Sequence, residues 1–146
     1  MRSALVAVLC GLVGLFAPST LAAEAESATK AAGPFAYVSV AGAPGDGEEA
    51  LAAALSRQLA ARGLKPADAF QANVYEVKGT VRVAAATKGK QSVTIVWVVL
   101  GPDGNQLGIT RQTKAVRKGS LDKKWGGAAE GAAAAAAADI VRLIPR

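Results

Sequence analysis

The sequence predicts an α+β protein: a two-layer sandwich in the order β-α-β-β-β-α, with a four-stranded, mostly antiparallel sheet and two helices on one face. Three observations predict it. Tyr75 to Val83 alternates apolar and polar side chains, the period of a strand with one buried and one wet face. Gln91 to Gly108, QSVTIVWVVLGPDGNQLG, reads as a long apolar strand, a tight turn on Pro102-Asp103-Gly104 and a returning strand. Leucine at every fourth position from Leu51 to Leu59, and an alanine-rich stretch ending near Leu143, mark two helices able to lie on that sheet.

The N-terminus is read apart from this domain. Met1-Arg2-Ser3 is a short positive start, Ala4 to Ala17 is an uncharged apolar run, and small residues follow Pro18. This is the layout of a secretory signal peptide, placed at 1–23 with cleavage after Ala22, Ala23 or Ala25. The run is short for a membrane span, which needs about 20 residues. An uncleaved anchor is the competing reading. Cys10, the one cysteine of the chain, lies inside the run; a lipidated cysteine normally follows a small residue, and Leu9 is not small. Residues 24–33 are expected to be a flexible lead-in and 34–146 a single α+β domain. The expected location is the periplasm, reached by a cleavable signal peptide, with membrane anchoring the lesser alternative. A mature chain without cysteine has no intramolecular disulfide and must hold together by packing.

In chain order, Phe35 to Val40 is a short first strand, with Ala36, Val38 and Val40 on one side. Gly42-Ala43-Pro44-Gly45-Asp46-Gly47 is a loop. Asp46 followed by Glu49 is a helix-start signature in which Asp46 caps and Glu49 reaches back. That helix runs to about Arg62 and ends on Gly63, with Leu64 closing on the last turn. A polar connection follows Pro66. In the next strand Gly79 interrupts the buried row, predicting a bulge or the close approach of a helix. Thr87 to Lys90 is a basic loop. From Val93 to Leu100 both faces are apolar: Val93, Ile95, Trp97 and Val99 on one, Val96, Val98 and Leu100 on the other. The return strand from Gln106 turns basic by Arg111. The last helix is expected to start near Ser120 or Asp122, with Trp125, Ala129, Ala132, Ala136, Ile140 and Leu143 on one face. Glu130, Asp139 and Arg142 argue against its crossing a membrane. Short links join the last three strands as a meander, and the first strand enters through a right-handed crossover.

Little here resembles catalytic chemistry. The chain has no histidine, which removes the usual general base and zinc ligand, and the mature part has no thiol. No cofactor, metal or catalytic residue is expected. The GAPGDG loop resembles a phosphate cradle in its glycines, but it lacks the Lys and Ser/Thr of a nucleotide loop. Asp46, Glu48 and Glu49 would repel an anion there.

Two surfaces suggest binding instead. Arg111 to Lys124, RQTKAVRKGSLDKK, carries six basic residues and one acidic, and Trp125 follows. Arg111, Lys114, Arg117 and Lys118 are the candidate anion-binding residues, for lipid head groups, lipopolysaccharide or cell-wall polymer. The plainer reading is an outer strand guarded by charge, with Trp125 in the core. The net charge of +6 fits either, and an exported chain makes nucleic acid a poor partner. If both helices cover one face, Val96 and Val98 emerge on the other, with Thr80, Arg82, Thr110 and Gln112 expected as neighbours. Val96, Val98, Arg82, Thr110 and Gln112 are therefore the candidate partner-binding residues, for an envelope protein or a second copy of the chain. The plainer reading there is a stripe covered by long neighbouring side chains or by the N-terminal segment.

GAPGDG before a leucine-rich helix, VTIVWVVLGPDG, and GSLDKKWG before an alanine-rich helix together resemble a group of small exported envelope proteins of Gram-negative bacteria. The resemblance spans about Ala36 to Ile144. More loosely, the element order is similar to the lipopolysaccharide-assembly lipoprotein and curli-secretion lipoprotein families. It implies helices on one face of a sheet and an accessory or assembly role, and no activity is carried over. The departure at Cys10 sets this chain apart from the lipoprotein pattern. The expected function is a non-catalytic periplasmic binding or assembly module working through its exposed sheet face. Binding of anionic polymer or lipid through the basic strip is the alternative, and an enzyme of unknown type is third.

Overall fold

In the computed structural model residues 34–145 are described; the expected signal peptide, Cys10 and the lead-in at 24–33 lie outside the described residues. The order is β1 (Phe35–Ala41), α1 (Gly47–Ala60), β2 (Lys65–Pro66), β3 (Val74–Val83), β4 (Lys90–Leu100), β5 (Gln106–Arg117) and α2 (Gly126–Leu143). The class matches the expectation, and the element order matches it apart from β2, a strand added after α1. The sheet does not match in full: it has five strands in the order β2-β1-β3-β4-β5. β1 runs parallel to both β2 and β3, while β3-β4 and β4-β5 are antiparallel, so the sheet is mixed. The extra strand is two residues in what looked like a plain connection. Lys65 and Ala67 donate their backbone N–H to the Pro34 and Ala36 carbonyls at 2.9 Å. Pro66, between them, has no N–H to give and sits on an edge where none is needed.

The core lies between the sheet and the helices. Val77, Val81, Val93, Ile95, Trp97 and Val99 meet Leu51, Leu55 and Leu59 of α1 and Ala133, Ala136, Ala137 and Ile140 of α2, all buried. Gly79 is paired with Trp97 across β3-β4. A Cβ on Gly79 would stand 2.5 Å from the Trp97 ring, so the glycine makes room for the indole. Neither a bulge nor a helix is what comes close there. The end of α1 follows the sequence: Gly63 has a φ of +93°, and Leu64 is buried and donates to the Leu59 carbonyl.

Both helix starts differ from expectation. The Asp46 side chain makes no cap bond to α1. Its Oδ1 accepts the backbone N–H of Trp125 at 2.9 Å, and its own N–H goes to the Lys123 carbonyl at 3.0 Å. Glu48, in the first turn, accepts the N–H of Gly42. α2 begins at Gly126, not at Ser120 or Asp122. The Trp125 N–H, which a helix through this point would direct at the Leu121 carbonyl, is given to Asp46, and the Trp125 indole Nε1 takes that carbonyl at 3.1 Å and the Pro44 carbonyl at 2.8 Å. The GAPGDG and GSLDKKWG motifs are thus two halves of one joint, with the Trp125 ring seated on Gly47.

Candidate functional site

Both helices pack on one side of the sheet, and no described element covers the opposite side of β3, β4 and β5. On β4 the open side carries Thr94, Val96 and Val98, each half-buried. The register decides their neighbours. On β3 they are Lys78 beside Val98, Thr80 beside Val96 and Arg82 beside Thr94. On β5 they are Ile109 beside Val98, Arg111 beside Val96 and Thr113 beside Thr94, whose hydroxyls meet at 3.2 Å. Ile109 is 55% exposed, which extends the valine pair into an apolar stripe of three. A shallow groove of about 520 Å³ adjoins the stripe at its Val96 end, lined also by Thr80, Arg82, Thr94 and Arg111.

Two of the five expected partner-binding residues are elsewhere. Thr110 and Gln112 face the helices: Thr110 donates to Asp139 of α2 at 3.3 Å, and Gln112 is directly opposite Ile95 of the buried row. The cause is a bulge between Val99 and Leu100. Leu100 is paired with Gln106 but Val99 with Gly108, so Leu107 is extra on β5. A regular hairpin continuing the Leu100–Gln106 pair would have put Thr110 beside Val96. One extra residue turns every later β5 side chain to the other face. Val96, Val98 and Arg82 stand on the open side as expected. Ile109, which the reading from sequence did not assign to a site, takes the place of Thr110, and Arg111 joins from the basic strip. The one local signal beside the bulge is Gly108, a glycine inside a strand, which does not by itself say which residue is extra.

The basic strip is divided by the same alternation. Arg111 and Arg117 are on the open face, Lys114 is on the helix side, and Lys118 follows the end of β5 in a turn. Among the described residues, Lys78 is paired with Glu76 at 3.3 Å, while Arg82, Arg111 and Arg117 form no ion pair. The open face is therefore cationic around an apolar centre. The GAPGDG loop spends its amides within the protein: Gly42, Asp46 and Gly47 donate to Glu48, Lys123 and Pro44. No group of three or more potential metal ligands occurs among the described residues. Asp103, in the β4-β5 turn, has a carboxyl held below the usual aspartate range by hydrogen bonds from the Asn105 amide and backbone. No described helix is long and apolar enough to cross a membrane.

No protein-family model matches the chain, and no curated protein does. Solved structures show a likeness of fold. A dodecameric PelC variant from Paraburkholderia phytofirmans superposes with a TM-score of 0.50 at 17% identity, over 77% of this chain and 89% of that one. Lipoprotein GNA1162 from Neisseria meningitidis gives 0.48 at 10% identity over 75% and 99%, and a minor lipoprotein from Acinetobacter baumannii gives 0.42 at 13% over 74% and 89%. The loose likeness expected from the element order is present at the level of the fold, and it rests on PelC.

Proposed function

We propose that this chain is a non-catalytic module of the Gram-negative envelope that binds a protein partner through the open face of β3, β4 and β5. The observation that carries the reading is the stripe Val96, Val98 and Ile109, uncovered by any described element and flanked by the unpaired Arg82 and Arg111. An apolar centre within a charged rim is the anatomy of a protein interface. Its charge favours an acidic partner, since two identical cationic faces meeting head-on repel. Self-association through dissimilar surfaces is a further form of the same reading, and PelC, which shares the fold, crystallised as a dodecamer. Export to the periplasm rests on the signal-peptide layout of residues 1–23. Absence of catalysis rests on the lack of histidine and of a mature thiol.

Val96→Lys and Val98→Lys test it. Each side chain is half-buried on the side away from the core and faces a cation across the sheet, so folding is expected to weaken by no more than about 1 kcal/mol. Recovery of the partner by crosslinking in intact cells, or of oligomer by sedimentation, should drop strongly. Full recovery with both variants would show that the open face is not the interface. Binding of anionic polymer or lipid through Arg82, Arg111 and Arg117 is the second reading, favoured by their lack of ion pairs. Such binding falls steeply with added salt, and salt-insensitive binding would count against it. Turnover in an activity screen of the pure protein would replace both readings with the third, an enzyme.

A further inference from the structure

On the helix side, β5 and α2 do not close on each other. Between them lies a cleft of about 320 Å³, within the range of small-molecule sites. Its floor is Val93, Ile95 and Val116 of the sheet, and Trp125 closes one end. Its other wall is the small-residue flank of α2, from Ala128 to Ala135, whose side chains are too short to reach the sheet. Two polar groups break the apolar lining. The Gln112 side-chain nitrogen has no hydrogen-bond partner and is closed off from the cleft as it stands, an arrangement that costs free energy. Lys114, two residues on and on the same face, lines the cleft and reaches solvent, and no acidic residue lines the cleft with it.

A ligand that relieves these groups needs an acceptor for the amide, a negative charge for the ammonium, and an apolar body for the rest. We propose that this cleft binds the hydrocarbon chain of a single-chain carboxylate amphiphile, a fatty-acid-like anion, with Gln112 and Lys114 receiving the carboxylate. The tail lies along the floor of Ile95 and Val116 beneath the alanines of α2. A carboxylate matches the pair once the Gln112 side chain turns its amide into the cleft: one oxygen then accepts from the amide while the charge faces Lys114. This site is on the opposite side of the sheet from the proposed protein interface and stands independently of it.

Decanoate titrated into the purified full chain tests the assignment, read by calorimetry and by tryptophan emission in a Trp97→Phe background, which leaves Trp125 at the cleft's end as the reporter. Saturable one-to-one binding below the micelle concentration is expected. Decyltrimethylammonium, with the same tail and the opposite charge, and butyrate, with the same head and little tail, should both bind at least roughly tenfold more weakly. Lys114→Glu, an exposed change that leaves packing intact, should weaken decanoate roughly tenfold without altering the melting temperature. Ala132→Leu, which fills the cleft, should abolish binding. Absence of saturable decanoate binding to the unaltered chain overturns the proposal, as does equal binding of the cationic amphiphile. Undiminished binding by Lys114→Glu and Ala132→Leu together would place decanoate elsewhere and overturn it equally.

Discussion

Under α1 the two layers are filled by leucine. Leu51, Leu55 and Leu59 are fully or almost fully buried on one side of a helix that packs over β1 and β2. Under α2, which packs over β4 and β5, the helix contributes alanine, and the sheet has to reach upward. On β4 it does so with Trp97, whose indole spreads over Gly79, and on α2 itself Ile140 closes the far part. At β5 neither partner is large enough. Gly108 is filled by Leu143, whose side chain would collide with a Cβ there, but along Gln112 and Lys114 nothing fills the space. Alanine is the best helix former and the poorest space filler. The half of the sandwich built on propensity keeps a cleft against the sheet.

Four substitutions break or sharpen this contrast, in descending order of effect. Leu55→Ala removes a fully buried side chain from the filled half and should cost about 2–5 kcal/mol, read as a fall in the denaturation midpoint at unchanged slope. Gly79→Ala places a methyl group against the Trp97 ring where the halves join, and should cost about 1–3 kcal/mol with a change in the near-ultraviolet signal of the indole. Ala132→Leu adds volume to the open half, where room exists, so its cost should stay below about 1 kcal/mol in the same denaturation experiment. A loss as large as that of Leu55→Ala would show that the cleft is already required empty by the packing around it. The smallest effect is at Asp103 in the turn of the β4-β5 hairpin. Hydrogen bonds from Asn105 lower its folded-state pKa, so its small contribution to stability is present above the unfolded value and lost as pH falls through the folded one. A carboxyl titration followed by NMR should find its midpoint below that of an ordinary aspartate, and Asn105→Ala should raise it.

The open face and the cleft exchange residues with what the sequence suggests, and one position explains most of it. Val96, Val98 and Arg82 lie on strands whose register follows from alternation alone, and they are where the alternation puts them. Thr110 and Gln112 are beyond Leu107, the residue that β5 inserts without a partner. Gln112, expected on the outer surface, becomes the buried amide of the cleft for that reason. In LGITRQTK only Gly108 hints at a bulge, and a strand glycine marks a close approach equally well, as it does here toward Leu143 of α2. Asp46 was misread in a related way. Its position before a helix has the form of a cap, but the oxygen bonds to Trp125, distant in sequence and adjacent in space.

What the sequence by itself determined is what short-range periodicity can encode. The α+β class, the order of the elements other than β2, the buried row through Trp97 and the face of Val96 and Val98 rest on repeats of two or four residues, and the end of α1 at Gly63 on a local glycine signal, all within reach of a local reading. Only the tertiary structure decided which way β5 faces, whom Asp46 serves, how β1 gains a second parallel neighbour at Lys65–Pro66, and where the layers fail to meet. Each of these is a choice between partners far apart along the chain, and backbone pairing and space filling settle it only once both are in place.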